Sequence, residues 1–166
     1  MKRTKLLALA LAGVMVLALL TGCSDSSSKA KQVEECFRSL MKQQGGDYQK
    51  DETLDKKLEG IAQKFQPDWL EDEKGRLTYE AYHIIEDELK DYLVTGSVYL
   101  WYGEVKPGQS AQAQAGSMKQ SNQVEVAILE PGILLKAIAF TMTDKKNGHR
   151  YYLALETYAT IKTPQN

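Results

Sequence analysis

Ser97-Val98-Tyr99-Leu100-Trp101-Tyr102-Gly103-Glu104-Val105 is the stretch that decides the fold. It is rich in β-branched and aromatic residues, and it alternates: Val98, Leu100 and Tyr102 share one face, Tyr99, Trp101 and Val105 the other. A period of two is what a half-buried strand requires, and these residue types suit a pleated surface. Gly96 marks a change of period, because upstream of it the apolar residues recur at helical spacing. The chain therefore reads as helices first and strands second.

Upstream, Val33, Cys36, Phe37, Leu40 and Met41 fall on one helical face, and Gly45-Gly46 supply the stop. Leu54, Leu58, Ile61, Ala62 and Phe65 predict a second helix that ends before Pro67. Thr78 looks like an N-cap for a third, marked by Tyr82, Ile85, Leu89, Tyr92 and Leu93 and closed by Gly96. The connection between the last two holds Trp69 and the acidic run Glu71-Asp72-Glu73 ahead of Gly75. Leu70 and Lys74 occupy positions where a calcium loop needs oxygen ligands, so a solvated turn is expected there.

Downstream, residues 106–122 are dominated by Gln, Ala, Ser and Gly and are expected to be a mobile or ligand-binding loop. Residues 123–130 read as a second strand, Pro131-Gly132 as a turn and residues 133–143 as a third strand. Asp-Lys-Lys-Asn-Gly at 144–148 reads as a hairpin connection, and residues 149–161 as a long final strand. The expected fold is α+β: three N-terminal helices packed on one face of a four-stranded, curled antiparallel meander, within a single domain at 32–162 and a tail at 163–166. The element order is similar to the cystatin-like and NTF2-like group, a resemblance that covers residues 30–161. It implies a curved sheet that can enclose a cone-shaped pocket. It departs from the commonest NTF2-like pattern in having no strand before Gly96.

The amino terminus says where such a domain works. Lys2, Arg3 and Lys5 precede fifteen consecutive apolar residues, 6–20, and the run ends in Leu20-Thr21-Gly22-Cys23. That run is short for a membrane span, which needs roughly 20 apolar residues. Leu-Thr-Gly-Cys resembles the lipobox of bacterial lipoproteins. The resemblance implies a signal peptide at 1–22, cleavage before Cys23, diacylglyceryl and acyl chains on that cysteine, and a flexible tether at 23–31. It implies an extracytoplasmic protein on the cell membrane, or on the outer membrane if the host has two. Of 21 Lys and Arg, the leader takes three, leaving 18 against 22 Asp and Glu. A mildly acidic body excludes nucleic acid as partner and leaves attachment to the lipid. With Cys23 acylated, Cys36 has no disulfide partner and reads as a small buried hydrophobe.

Catalytic signals are sparse. His83 and His149 are far apart, and no local spacing of His, Cys or carboxylates gives a metal site. Gly108-Gln109-Ser110-Ala111-Gln112 approaches a nucleophile elbow but lacks its closing glycine and enters a low-complexity stretch. Glu71-Asp72-Glu73 and Glu86-Asp87-Glu88 read as solvated surface. An isomerase-like acid and tyrosine pair in an NTF2-like cone would draw on Tyr92, Tyr102 or Tyr158, with no acid to assign. The remaining signal is aromatic: Tyr99, Trp101, Tyr152 and Tyr158 on the sheet are candidates for a partner or ligand surface. The expectation is a non-catalytic binding module for another envelope protein or a small apolar ligand, without cofactor or metal. The alternative is an enzyme built around a cone-shaped pocket.

Overall fold

The computed structural model describes residues 26–71, 75–127 and 132–162. The lipobox with Cys23, the leader, Asp72, Glu73, the far end of the second expected strand with Pro131, and the tail lie outside the described residues. Helix α1 is Ser26–Gln43, α2 Glu52–Lys64, α3 Tyr79–Leu89 and α4 Ala111–Gly116, with a short 3-10 turn at Pro67–Trp69. The strands are β1 Leu93–Glu104, β2 Lys119–Gln120, β3 Val124–Ala127, β4 Gly132–Met142 and β5 Tyr151–Lys162. The fold is α+β, an open antiparallel sheet of five strands with four helices among the described residues.

Helix α1 begins at Ser26, so residues 26–31, expected as tether, are helical. The reason is packing: Ala30 lies one turn ahead of Val33 on the same face and rests against the same core. Asp51 caps α2 by accepting from the Leu54 N–H at 2.8 Å, and Thr78 caps α3 through the Ala81 N–H at 3.1 Å. The third helix stops at Leu89 and not at Gly96, and Leu93 already faces Ile161 across the sheet. Gly96 is instead a strand residue with φ +147°, where a side-chain carbon would come within 2.3 Å of Ala159 Cα. Only glycine lets the two backbones approach so closely.

The sheet runs β2-β1-β5-β4, with β3 also paired to β1. It is not the expected meander of four, because the last strand is inserted between the first and β4. Alternation assigns faces to a strand but says nothing of its neighbours. The extra strand arises because Gln120 and Lys119 pair with Trp101 and Tyr102.

The helices cover both faces, not one. Leu54, Leu58, Ile61 and Phe65 of α2 and its C-cap, with Ile85 and Leu89 of α3, pack on Val98, Leu100, Leu135, Leu153 and Leu155. Val33, Phe37 and Met41 of α1, with Ala111 and Ala115 of α4, pack on Ile138, Tyr152 and Ala154 from the opposite side. The apolar stripe of α1 needs a sheet surface of its own, and the alternate residues of β4 and β5 provide it.

Residues 106–122, expected as a loose loop, contain α4 and β2 and are held in place. Ser110 caps α4 through the Ala113 N–H at 3.1 Å. Gln114 is fully buried, accepting from the Lys106 N–H at 2.8 Å and donating to the Glu104 carbonyl at 2.7 Å. One amide side chain thus satisfies two backbone groups where the strand ends. The hairpin at 144–148 forms as expected, with Asn147 and Gly148 both left-handed at φ 51° and 84°. On the outer edge of β4, Gln49 donates to the Lys136 carbonyl at 3.0 Å and accepts from the Ile138 N–H at 3.2 Å. The α1–α2 connection therefore closes part of an edge that would otherwise be open.

Candidate functional site

Register places Tyr99, Trp101, Tyr152 and Tyr158 on one face of the sheet, the one that carries α1. Tyr99 lies opposite Glu156, Trp101 opposite Ala154, Gly103 opposite Tyr152 and Ser97 opposite Tyr158. The four do not share one environment. Tyr152 is 1% exposed beneath α1 with its ring 5.8 Å from Phe140, and burial pushes its phenol pKa up. Trp101 is half-buried, edge-on to Phe37 at 5.3 Å. Tyr99 is half-buried and donates to Gln123 Oε1 at 3.0 Å. Tyr158 is 57% exposed. Along this face the cover given by α1 runs out, so its far end carries Tyr158, Leu134, also 57% exposed, and half-buried Lys136 and Tyr99.

At the boundary between covered and open halves stands Glu156, in the middle of β5. Its carboxylate accepts from the Tyr48 hydroxyl, from Trp101 Nε1 at 2.8 Å and from Gln120 Nε2 at 3.2 Å. Tyr48 belongs to the α1–α2 connection, and the Lys136 ammonium lies 4.9 Å from the centre of its ring. Burial first, then the hydrogen bond and charge of Glu156, then Tyr99, push the Tyr48 phenol well above its ordinary pKa. It therefore stays protonated and donates to the carboxylate through the neutral range. Beside the pair a cleft of about 310 Å³ is lined by Arg38, Ser39, Lys42, Gly46, Asp47, Tyr48 and Ile138. Arg38 is already engaged there, with Glu34 and with the Ile138 carbonyl at 2.7 Å.

Sequence reasoning missed Tyr48, Gln120 and Glu156. Glu156 is the only charged residue between Tyr151 and Ile161, and a lone carboxylate inside an apolar strand is a signal to pursue. The tyrosines expected for an isomerase-like site do not converge: Tyr102 and Tyr158 lie on opposite faces, and Tyr92 hydrogen-bonds Asp51. Compared with protein-family models, curated proteins and solved structures, the chain matches none of them.

The other sequence candidates have structural partners. His83 pairs with Glu86 at 2.8 Å between the rings of Tyr79 and Tyr82, and His149 pairs with Glu104. Cys36 is half-buried, and burial, with Glu35 beside it, raises its thiol pKa, which opposes reactivity. Ser110 sits at a strand-to-helix turn after all, but its hydroxyl is spent on the cap. Among the described residues no group of three or more His, Cys, Asp and Glu is placed to hold a metal, and no helix is long and apolar enough to cross a membrane.

Proposed function

We propose that this is a lipid-anchored extracytoplasmic protein, held at a membrane of the cell envelope by an acylated Cys23. Its α+β domain is a non-catalytic binding module for another protein of the envelope. One observation carries the binding reading: the end of the α1 face that none of the described helices covers bears Tyr158 and Leu134, each 57% exposed. Apolar side chains gathered on an open sheet surface and rimmed by polar groups mark contact sites, and tyrosine serves them with a large ring and a polar tip.

The rival is an enzyme or a small apolar-ligand binder on a cystatin-like or NTF2-like plan, and the Tyr48–Glu156 pair favours it. Against it, the phenol is pushed away from neutrality, so the pair holds a proton where an acid or base would have to release one.

Affinity capture from membranes, native protein against Tyr158→Ala, tests the binding reading. The variant loses the partner; identical partner sets would remove the hypothesis. Trp101 is unsuited to this test because its ring is a packing element for Phe37. The anchor has its own test: Cys23→Ala yields an unprocessed precursor, and one that still incorporates labelled palmitate contradicts it.

A further inference from the structure

Much of the sheet's edge is plugged by side chains and loops. On β3 the Tyr82 hydroxyl accepts from the Glu125 N–H at 3.1 Å and donates to the Glu125 carbonyl at 3.4 Å, and beside β1 the Ser121 hydroxyl accepts from the Leu100 N–H at 3.1 Å. On β4 Gln49 occupies the Lys136 carbonyl and the Ile138 N–H, and Arg38 takes the Ile138 carbonyl at 2.7 Å. Farther along, α2 flanks the strand, where Glu59, Ala62 and Gln63 form a cleft with Met142 and Thr143. An unpaired edge is a template for another strand, and such plugs deny it one.

The plugs on β4 also reveal how its backbone is turned. The Lys136 carbonyl and both polar groups of Ile138 point away from β5, so with a period of two those of Gly132 and Leu134 do the same. No plug reaches these two among the described residues. The side chains at this start of the strand are apolar and open: Ile133 is 55% and Leu134 57% exposed. Ile133 lies opposite Ile161 on the α2 face, and Leu134 lies opposite Thr160 on the α1 face. Gly132 leaves a notch beside them, since a side-chain carbon there would fall 2.5 Å from the Ile161 carbonyl oxygen. Residues 132–134 carry no charge, the usual device against edge pairing.

We propose that residues 132–134 are the contact through which two copies of this chain pair, antiparallel, about a two-fold axis at Ile133, so that two sheets become one. The stretch is complementary to itself, as a two-fold contact requires. Leu134 exchanges both of its outward hydrogen bonds with the partner's Gly132, and its side chain lies over the notch that this glycine leaves. The two Ile133 residues form the close, non-hydrogen-bonded pair, with Cα atoms about 4.5 Å apart, and extend the apolar layer that Ile161 begins. A strand of ordinary length, about five to six residues, centred on the same stretch would run toward Gln49 at Ala137; the two-fold staggers the copies and uses 132–134 alone. The contact is small beside the roughly 1,200–2,000 Å² of a stable interface, so the pair comes apart on dilution. It occupies the edge of the sheet and leaves Tyr158 on the face, so it stands or falls separately from the binding reading above.

Disulfide trapping in the full-length chain, in a Cys36→Ala background, is the test. Ile133→Cys places two thiols on the axis, within the Cα separation of about 4.4–6.8 Å that a disulfide accepts. Mild oxidation with copper phenanthroline gives a covalent dimer that the background chain does not give. Tyr79→Cys, at a position 80% exposed on α3, stays monomeric and controls for random collision. Adding Leu134→Lys to Ile133→Cys abolishes the dimer, because a charge on the edge opposes pairing, while circular dichroism shows the fold retained. In the unaltered chain the Gly132 and Leu134 amides exchange more slowly as concentration rises, in proportion to the paired fraction, whereas the Leu135 amide, committed to β5, does not change. An Ile133→Cys chain that stays monomeric, a Tyr79→Cys chain that cross-links as readily, a dimer that survives Leu134→Lys, or exchange at Leu134 that ignores concentration would each overturn the pairing.

Discussion

Tyr48 and Glu156 are 108 positions apart, and the strength of their contact can be isolated. Tyr48→Phe deletes one hydroxyl and leaves the ring under Lys136. A hydrogen bond to a charged acceptor contributes about 1.5–3 kcal/mol net when buried. Both side chains are half-buried and Glu156 keeps two other donors, so the lower end applies, about 1.5 kcal/mol, or roughly 4 °C in melting temperature for a chain of this size. In a Glu156→Ala background the same deletion has no acceptor to lose, and its cost falls to about 0.3 kcal/mol. Urea unfolding of the four proteins, followed by far-ultraviolet circular dichroism, closes the cycle. Equal costs in the two backgrounds would refute the reading that this pair ties the α1–α2 connection to the sheet.

The pH dependence supplies a second check on the same contact. The folded phenol has its pKa raised, by burial and then by Glu156, above the unfolded value of about 10. The unfolded chain gives up its proton first, so the stabilisation is whole below about pH 10 and is lost as pH rises beyond it. The excess stability of the native protein over Tyr48→Phe shrinks in that alkaline window.

Three further predictions concern the frame of the site. Gln114→Ala strands the Lys106 N–H and the Glu104 carbonyl, costing about 2–4 kcal/mol, and cleavage by trypsin after Lys119 accelerates; a variant melting with the native protein would show that the glutamine does not hold the excursion. Gly96→Ala forces a methyl group against Ala159 and the Tyr158 carbonyl, costing at least about 2 kcal/mol, which denaturant unfolding measures. Phe37→Ala removes a ring that is 1% exposed and costs about 3–5 kcal/mol, whereas Tyr158→Ala stays within about 0.5 kcal/mol; comparable losses would contradict the division of this face into covered and open halves.

Much of the frame is legible in the residues themselves. Alternation in β1 assigned Val98 and Leu100 to one face and Tyr99 and Trp101 to the other, and the register with β5 agrees. Helical spacing located the three long helices, because each buries a stripe. What spacing cannot carry is which stripe meets which face, so α1 joining the side opposite α2 and α3 was not readable. Tyr92 and Leu93 continued the period of α3 by coincidence, and the close backbone crossing that demands Gly96 depends on Ala159, far along the chain. Ala111 to Gly116 looked like low complexity, although Ala and Gln are good helix formers and Ser110 is a cap. Glu156 is not legible from the sequence because one carboxylate in an alternating strand resembles a solvent-facing residue until its partner, Tyr48 from a distant connection, is in place.

The last strand of the sheet to be made is also the one that its neighbours lean on. With β5 between β1 and β4, neither of those long strands has its principal partner until residues 151–162 have left the ribosome. Pairing at such sequence separation is slow, so the nascent polypeptide stays open along most of its length while synthesis continues. If the proposed lipid anchor holds, a chain in that condition is still open enough to be threaded through a translocation channel, and its domain closes only once residues 151–162 have come through.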